Sequence, residues 1–350
     1  MSIESYIQAI PKVDLHVRLE GAMRKSTLML IAEQNEIQES LKHFKDWVSL
    51  LDAPNYDRLD ELIHTVSLWV QVPENLTRLV YDLGTDLAKQ NVRYVEVSVN
   101  PTLYAENGIS FEQLLAAIND GRDRAFRAWN IRMAWVLTLP RAEPRKGDEI
   151  ARWASGAAGS KGAIVALGLN GAEDVQPAGQ FERAFKFVEK KDLPRVVQAG
   201  DTLGDQGIDD SLLLNPNRIV GGLANLGQAT PEIIGTFVER NIGLGVSMSR
   251  ALHMGKISSY ADYPLRHYYD EGLQVALCSE MPSLFKTNLC DQYQAAVEQC
   301  GLSIDELTEI AMNAINASFL PASDKATMLV EFAESYELMR GLHLPETVSK

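Results

Sequence analysis

A short apolar segment near the start of the chain, residues 13–17, carries His16 and is followed by Arg18. Side chains on a strand repeat with a period of two, so positions 16 and 18 point to the same side. Two histidines at this spacing would suit one edge of a metal site, but a guanidinium has no lone pair for a metal. The pattern predicts either a metal enzyme with one unusual residue or a former metal site rebuilt without its metal.

Other polar side chains stand where later predicted strands end. The candidates that we expect to converge with the first pair are Gln198, Asp201, Ser279 and Glu280. In an enzyme of rearranged chemistry, His16, Asp201 or Glu280 would act as the acid or base. Arg18 would then hold an anionic group, because its planar fork suits such groups.

Strands and helices alternate along most of the chain. We predict strands at 13–17, 92–99, 131–139, 163–169, 194–199, 218–220, 242–246 and 273–278. Nearly every one is followed by a helical pattern, which favours a (β/α)8 TIM barrel over an open doubly wound sheet. We expect one barrel domain over residues 1–350, with a helical insertion at about 27–90, whose first helix is capped by Ser26, and C-terminal helices at about 303–341.

Composition narrows the classes of partner. The 350 residues carry a net charge of −14, which argues against a protein that binds nucleic-acid backbones. No apolar run of about 18 residues is present, so we expect no membrane span. Three cysteines without zinc-site spacing and an N-terminus without signal-peptide features predict a cytoplasmic protein with reduced thiols. We expect a small-molecule ligand; the sequence does not indicate an oligomeric state.

Several segments, in this order and spacing, resemble the adenosine/AMP deaminase family of the metal-dependent amidohydrolase barrels. They are Pro-Lys-Val-Asp-Leu-His at 11–16, Leu-Glu-Gly at 19–21, Arg-Tyr-Val-Glu at 93–96, Leu-Gly-Leu-Asn-Gly at 167–171, Gln-Ala-Gly-Asp at 198–201, Arg-Ile-Val-Gly-Gly at 218–222, Ser-Glu-Met-Pro at 279–282 and Ala-Ser-Phe-Leu-Pro at 317–321. The resemblance covers about residues 10–320. It implies a (β/α)8 barrel of hydrolase type that acts on purine nucleosides.

The same resemblance implies that most residues of the family's zinc site are replaced. The family has a second metal histidine at position 18, a metal histidine and a proton-shuttling glutamate at 198 and 201, a water-orienting histidine at 221, and two aspartates at 280 and 281. This chain has there Arg18, Gln198, Asp201, Gly221, Glu280 and Met281. Only His16 is unchanged among the four expected metal ligands.

These replacements predict that no zinc is bound. Catalytic zinc needs three or more protein ligands, and His16 and Glu280 supply at most two, with Gln198 a poor third. A fixed cation at position 18 would also repel a divalent ion. We therefore expect no metal and no other cofactor, and we hypothesise that Arg18 pairs with Glu280, Asp201 or both.

The resemblance also suggests ligand contacts at Glu20, through a ribose hydroxyl, and at Gly171, through its backbone to the purine. We further expect contacts from Arg18, Asn170, Gln198, Ser279 and Met281. Simpler roles remain open: His16 could be a satisfied buried histidine, Arg18 and Glu20 could face solvent, and Asp201 could cap the next helix. The two glycines of the 167–171 segment could serve backbone geometry alone.

Three functions remain. The first is a metal-free pseudoenzyme, a deaminase-like barrel that binds a purine nucleoside or related metabolite. The second is an enzyme, such as a hydrolase or deaminase with rearranged chemistry that uses His16, Asp201, Glu280 and Arg18. The third is a non-catalytic scaffold or interaction protein, because one barrel fold hosts many functions.

Overall fold

The computed structural model describes residues 2–224, 226 and 229–344. Eight parallel strands pair in chain order: β1 (Lys12–Arg18), β2 (Val92–Val99), β3 (Arg132–Pro140), β4 (Ile164–Asn170), β5 (Arg195–Gln198), β6 (Arg218–Gly221), β7 (Gly243–Val246) and β8 (Val275–Leu277). The segment after β8 returns to β1, where the Arg18 N–H donates to the Glu280 carbonyl at 2.7 Å and the Glu280 N–H to the His16 carbonyl at 3.0 Å. The predicted (β/α)8 barrel is confirmed.

Helices surround this barrel. They are α1 (Ile3–Ala9), α2 (Lys25–Gln34), α3 (Ile37–Ser40), α4 (Phe44–Asp52), α5 (Leu59–Leu68), α6 (Pro73–Lys89), α7 (Pro101–Ala105), α8 (Phe111–Trp129), α9 (Gly147–Ser155), α10 (Ala157–Lys161), α11 (Glu182–Glu189), α12 (Asp205–Leu212), α13 (Pro231–Glu239), α14 (Met248–His253), α15 (Leu265–Asp270), α16 (Pro282–Phe285), α17 (Leu289–Glu298), α18 (Ile304–Ala317) and α19 (Ala322–His343). Within the described residues, none of these helices combines the length and apolar character that a membrane span requires.

Helices α2–α6 lie between β1 and β2 and include the predicted helical block. The predicted cap of its first helix is wrong, because α2 begins at Lys25 and Ser26 lies inside its first turn. Arg24 occupies the capping position without a side-chain bond to the helix. Its guanidinium instead bonds Asp86 on α6 at 2.6 Å, so a tertiary ion pair rather than a local cap places this helix start.

A buried ion pair crosses the barrel interior and joins distant segments. Arg218, at the start of β6, lies 2.6 Å from the Glu96 carboxylate on β2, and both side chains are fully buried. The same guanidinium donates to the carbonyls of Leu15 and Ala317, at 3.0 and 2.7 Å. The Phe319 N–H in turn donates to Glu96 at 2.6 Å. Motif residues that are far apart in the sequence therefore act together to hold the barrel closed.

Candidate functional site

A buried arginine from the end of β7 links two carboxylates at the carboxyl end of the barrel. Arg250 lies in α14, whose first turn is capped by the Ser247 hydroxyl. Its Nε donates to Oδ2 of Asp201 and its Nη1 to Oε1 of Glu280, both at 2.9 Å. Burial alone would lower the pKa of Arg250, but the two carboxylates outweigh burial and raise it. The site therefore contains a permanent cation between the segments after β5 and β8.

The hypothesis that Arg18 forms this ion pair is wrong, because Arg250 occupies that position. The chain turns towards β2 directly after Arg18, in the short turn Leu19–Gly21. Among the residues that the structure describes, the Arg18 guanidinium has no ion pair, and its Nε has no hydrogen-bond partner. Sequence reasoning passed over Arg250, although its position just after a strand was the signal that could have identified it.

Asp201 is fixed from three sides. Its Oδ2 accepts a hydrogen bond from Gln198 Nε2 at 2.9 Å, and its Oδ1 accepts the Gly222 N–H at 3.0 Å. Burial raises the pKa of Asp201, and the nearby Arg250 opposes that rise. Its side chain lies over Gly221, where an added Cβ would stand 3.0 Å from Oδ2. It does not cap the following helix, which begins four residues later.

Glu173, which sequence reasoning missed, holds the loop that carries Asp201. Its buried carboxylate accepts the backbone N–H groups of Asp201 at 3.0 Å and Thr202 at 2.7 Å, and also those of Gly200 and Leu203. Burial would raise the pKa of Glu173, but these hydrogen bonds prevail and lower it. The sequence signal for Glu173 was its position three residues after the end of β4.

His16 and Glu280 face each other with unused polar atoms. His16 Nε2 lies 3.9 Å from Oε1 of Glu280, and both side chains are almost fully buried. Among the described residues, neither His16 Nε2 nor Glu280 Oε2 has a hydrogen-bond partner. Burial, together with the guanidiniums of Arg18, Arg250 and Arg218, holds the pKa of His16 well below its usual value. The low pKa favours the neutral imidazole, whose Nδ1 lies 3.5 Å from the Ser98 hydroxyl and whose Nε2 faces Glu280.

Glu280 adopts a left-handed backbone conformation with a φ of +56°. Such a conformation costs about 1–2 kcal/mol for a residue with a Cβ. It is maintained here by the two backbone hydrogen bonds to β1 described above. The barrel closure thus places this carboxylate against Arg250.

Two other predicted ligand contacts are engaged inside the protein. The Ser279 hydroxyl donates to Oδ2 of Asp14 at 2.6 Å, and burial raises the pKa of that aspartate to about 7. Met281 is fully buried against Gly21, where an added Cβ would fall 2.1 Å from Met281 Cγ. Both side chains hold the β8 segment against β1, and their contact with a ligand stays a prediction.

Glu20 is buried rather than exposed in its turn. Its Oε1 accepts the Asn100 N–H at 3.1 Å, beside the Tyr104 hydroxyl at 3.4 Å. Burial raises the pKa of Glu20, while the nearby Arg18 opposes this shift. The carboxylate therefore fixes the segment after β2, and its predicted ligand contact stays a prediction.

An open cavity of about 220 Å³ lies beside this buried cluster. Its walls come from the carboxyl ends of β1–β4 and from helices α5 and α7. Among its lining residues are Arg18, Asn100, Thr138, Arg141, Asn170 and Gly171. Arg18, Asn170 and Gly171 thus share this cavity. His16, Gln198, Asp201 and Glu280 lie in the buried cluster behind it.

The donor set does not fit the zinc ion that the family resemblance implies. Within residues 2–224, 226 and 229–344, no group of three or more His, Cys, Asp or Glu side chains could hold a metal. Glu280 and Asp201 both direct an oxygen at the same guanidinium. A divalent ion there would have to displace this permanent cation, at a considerable electrostatic cost.

Known proteins are similar to this chain over nearly its whole length. The adenosine deaminase family model matches residues 11–335. An adenosine deaminase from Clostridium kluyveri is 27% identical over 355 residues, covering 97% of this chain and 98% of the relative.

Solved structures share the fold at lower identity. An amidohydrolase from Burkholderia ambifaria, solved with bound zinc, matches with a TM-score of 0.88 and 21% identity over 98% of this chain and 95% of its own. An Arabidopsis protein called ADAL, solved with GMP, matches with a TM-score of 0.84 and 23% identity over 94% and 98%; it was also solved with IMP. With the family model matching nearly the whole length, the chain belongs to the adenosine deaminase family.

Proposed function

We propose that this protein is a metal-free member of the family that binds a purine nucleoside, nucleotide or related metabolite and does not deaminate it by zinc chemistry. The observation that carries the proposal is the Arg250 guanidinium, bonded at 2.9 Å to both Asp201 and Glu280. A buried, paired arginine supplies positive charge to the carboxylates without supplying a Lewis acid.

The surroundings of Arg250 support this proposal. Zinc-dependent hydrolysis needs an ion that acidifies a bound water and a base that orients it. At position 221 a glycine leaves room that the Asp201 carboxylate fills, so no imidazole stands there to orient a water. His16 is the one histidine that this chain keeps at the positions of the family's site. It is buried, and its pKa is held well below the usual value, which favours the neutral form.

The class of ligand is supported by the family and by the cavity. Among the relatives of this chain are an adenosine deaminase and an aminodeoxyfutalosine deaminase, and one structural neighbour was solved with the purine nucleotides GMP and IMP. A cavity with a few convergent polar groups at the carboxyl end of a barrel is the usual place for a ligand. The cavity beside Arg18 has these features.

The two other functions have less support. Metal-independent catalysis would need His16, Asp201 or Glu280 to reach the reacting atoms, and all three are buried behind the cavity. A pure scaffold would not need a polar cavity at the barrel mouth.

Three measurements on the full-length purified protein test the proposal. We expect metal analysis to find far less than one zinc per chain. We expect at least one member of a purine nucleoside and nucleotide panel to raise the melting temperature. We expect no conversion of adenosine to inosine. One zinc per chain with chelator-sensitive deamination would overturn the proposal; turnover without metal would favour rearranged chemistry, and no response to any purine would favour a scaffold.

A further inference from the structure

We infer that the ligand of the cavity carries an anionic oxygen group, a phosphate or a carboxylate, that binds between Arg18 and Arg141. The inference rests on the proposed function, because it assumes that this cavity is the binding site. It adds the chemical class of the ligand and the two side chains that recognise it.

Arg18 supplies the first positive charge. It ends β1, lines the cavity and is partly exposed to it. Among the described residues it forms no ion pair, and its Nε has no hydrogen-bond partner. A guanidinium has five donors in a planar fork that suits two oxygens of one anion. This fork is available to a ligand.

Arg141 supplies the second charge, from the turn after β3. It lines the same cavity although only 1% of the side chain is exposed. Its two terminal nitrogens donate to backbone carbonyls, those of Gln176 and Gln198, each at 3.0 Å. Its Nε has no partner within the described residues. The guanidinium is thus held rigidly, yet no carboxylate bonds it directly.

Other buried arginines of this chain are compensated. Arg218 lies 2.6 Å from Glu96, and Arg250 lies 2.9 Å from both of its carboxylates. Arg141 differs: Glu173 and Asp210 act on it only from a distance, and burial still prevails and lowers its pKa, so a bound anion at Arg141 would offset a desolvation cost that the free protein carries. Arg18 and Arg141 line one cavity, although the protein as a whole has a net charge of −14. Two arginines at this one place indicate a specific anion site rather than a general basic surface.

Among the described residues, the carboxylates that also line the cavity form no ion pair with either arginine. Asp60 and Glu106 are exposed, and Glu106 pairs with His64 at 2.9 Å. Glu143 accepts a hydrogen bond from the Thr102 hydroxyl at 2.8 Å. The buried wall instead carries Arg141, Thr138 and Asn170. The anionic end of a ligand would therefore face this wall, and its neutral polar end would face the acidic rim.

Matched neutral and anionic probes test the inference by thermal shift and calorimetry. The probes are inosine, IMP, inorganic phosphate and succinate, so that phosphate and carboxylate sources are distinguished. We expect IMP to bind at least about tenfold more tightly than inosine, as for a hydrogen bond between charged groups. Phosphate or succinate alone should give smaller shifts that weaken at high salt.

Charge reversal identifies the responsible side chain. Arg18→Glu should remove the advantage of the anionic probe, and Arg18→Gln should reduce it. Both variants should fold, because Arg18 is partly exposed and its backbone hydrogen bond to Glu280 needs no side chain. Arg183→Gln is the matched control, since its side chain is 85% exposed and pairs with Asp148 outside the cavity.

Equal binding of inosine and IMP would overturn the inference while leaving the proposed function intact. An unchanged response in Arg18→Glu would also overturn it. If no anionic probe binds, the inference fails, and a response to inosine in the same experiment would show that the proposed function survives.

Discussion

Nη1 of Arg250 lies 2.9 Å from Oε1 of Glu280, with both side chains buried at the carboxyl end of the barrel. The carboxylate approaches from the segment that closes β8 onto β1, and the guanidinium approaches from the neighbouring β7. Asp201 completes the arrangement from the β5 side. A side-chain cation thus balances two carboxylates in the region where the family resemblance places a metal.

Removing this cation should destabilise the protein strongly. In Arg250→Ala, Asp201 and Glu280 would be left buried without a counter-ion, which typically costs roughly 3–5 kcal/mol. Urea denaturation at pH 7 measures the loss in the free energy of unfolding. The control is Arg266→Ala, which removes ion pairs from a side chain that is 41% exposed and should cost about 1 kcal/mol or less. Equal losses in the two variants would contradict the role given to Arg250.

The same variant should gain affinity for zinc. Without the guanidinium, the Asp201 and Glu280 carboxylates would lack their counter-ion, and His16 Nε2, 3.9 Å from Glu280, has no hydrogen-bond partner among the described residues, so a divalent cation would take over the balancing of charge. Zinc should therefore raise the melting temperature of Arg250→Ala more than that of the wild type. Adding Glu280→Gln to the variant should abolish this difference. A zinc response of the same size in the wild type would show that Arg250 does not exclude the ion.

Gly221→Ala should be destabilising, because two constraints act at this position. Its φ of +133° is unfavourable for any residue with a Cβ, and the new methyl would stand 3.0 Å from Asp201 Oδ2. We expect a loss of about 1–3 kcal/mol by chemical denaturation. Gly235→Ala is the control: it lies exposed in α13 with open space around it, so alanine should stabilise by up to about 1 kcal/mol. If Gly221→Ala lowers the free energy of unfolding no more than Gly235→Ala does, the steric argument is refuted.

Lys12 should make stability depend on pH in the alkaline range. Burial lowers its pKa to about 8, although its ammonium donates to the carbonyls of Ile10 and Gln90 at 2.8 and 2.9 Å. The unfolded chain has the ordinary pKa of about 10.4, so between these values the unfolded state binds more protons than the native state. Stability contributed by this group therefore rises with pH across that window.

Comparison with Lys12→Met isolates this effect. The wild type should gain up to about 3 kcal/mol relative to the variant between pH 7 and pH 10, measured by urea denaturation at each pH. The difference should stay constant below pH 7. A difference that does not change with pH would mean that the Lys12 ammonium is not penalised by burial.

Local patterns predicted the strands well where the apolar run was long. The strand at 92–99 was predicted with the bounds that the structure has, and the others differ by one or two residues at their ends. Short helices at strand ends were missed. Among them is α14, six residues long, because a helix of that length leaves almost no periodic signal. The missed helix carries Arg250, and the error about the ion pair follows from it.

The sequence by itself determined the barrel, because the alternation of strands and helices depends on residue type, order and spacing; the replacement of the family's zinc-site residues is what the resemblance implies and stays a prediction. Only the tertiary structure decided which arginine meets Asp201 and Glu280. Arg18 follows the strand that carries His16, whereas Arg250 comes from a helix after β7, and their positions in space depend on how β8 closes onto β1. Side-chain partners that lie 30 and 49 residues from Arg250 are set by this closure, and no local pattern records it.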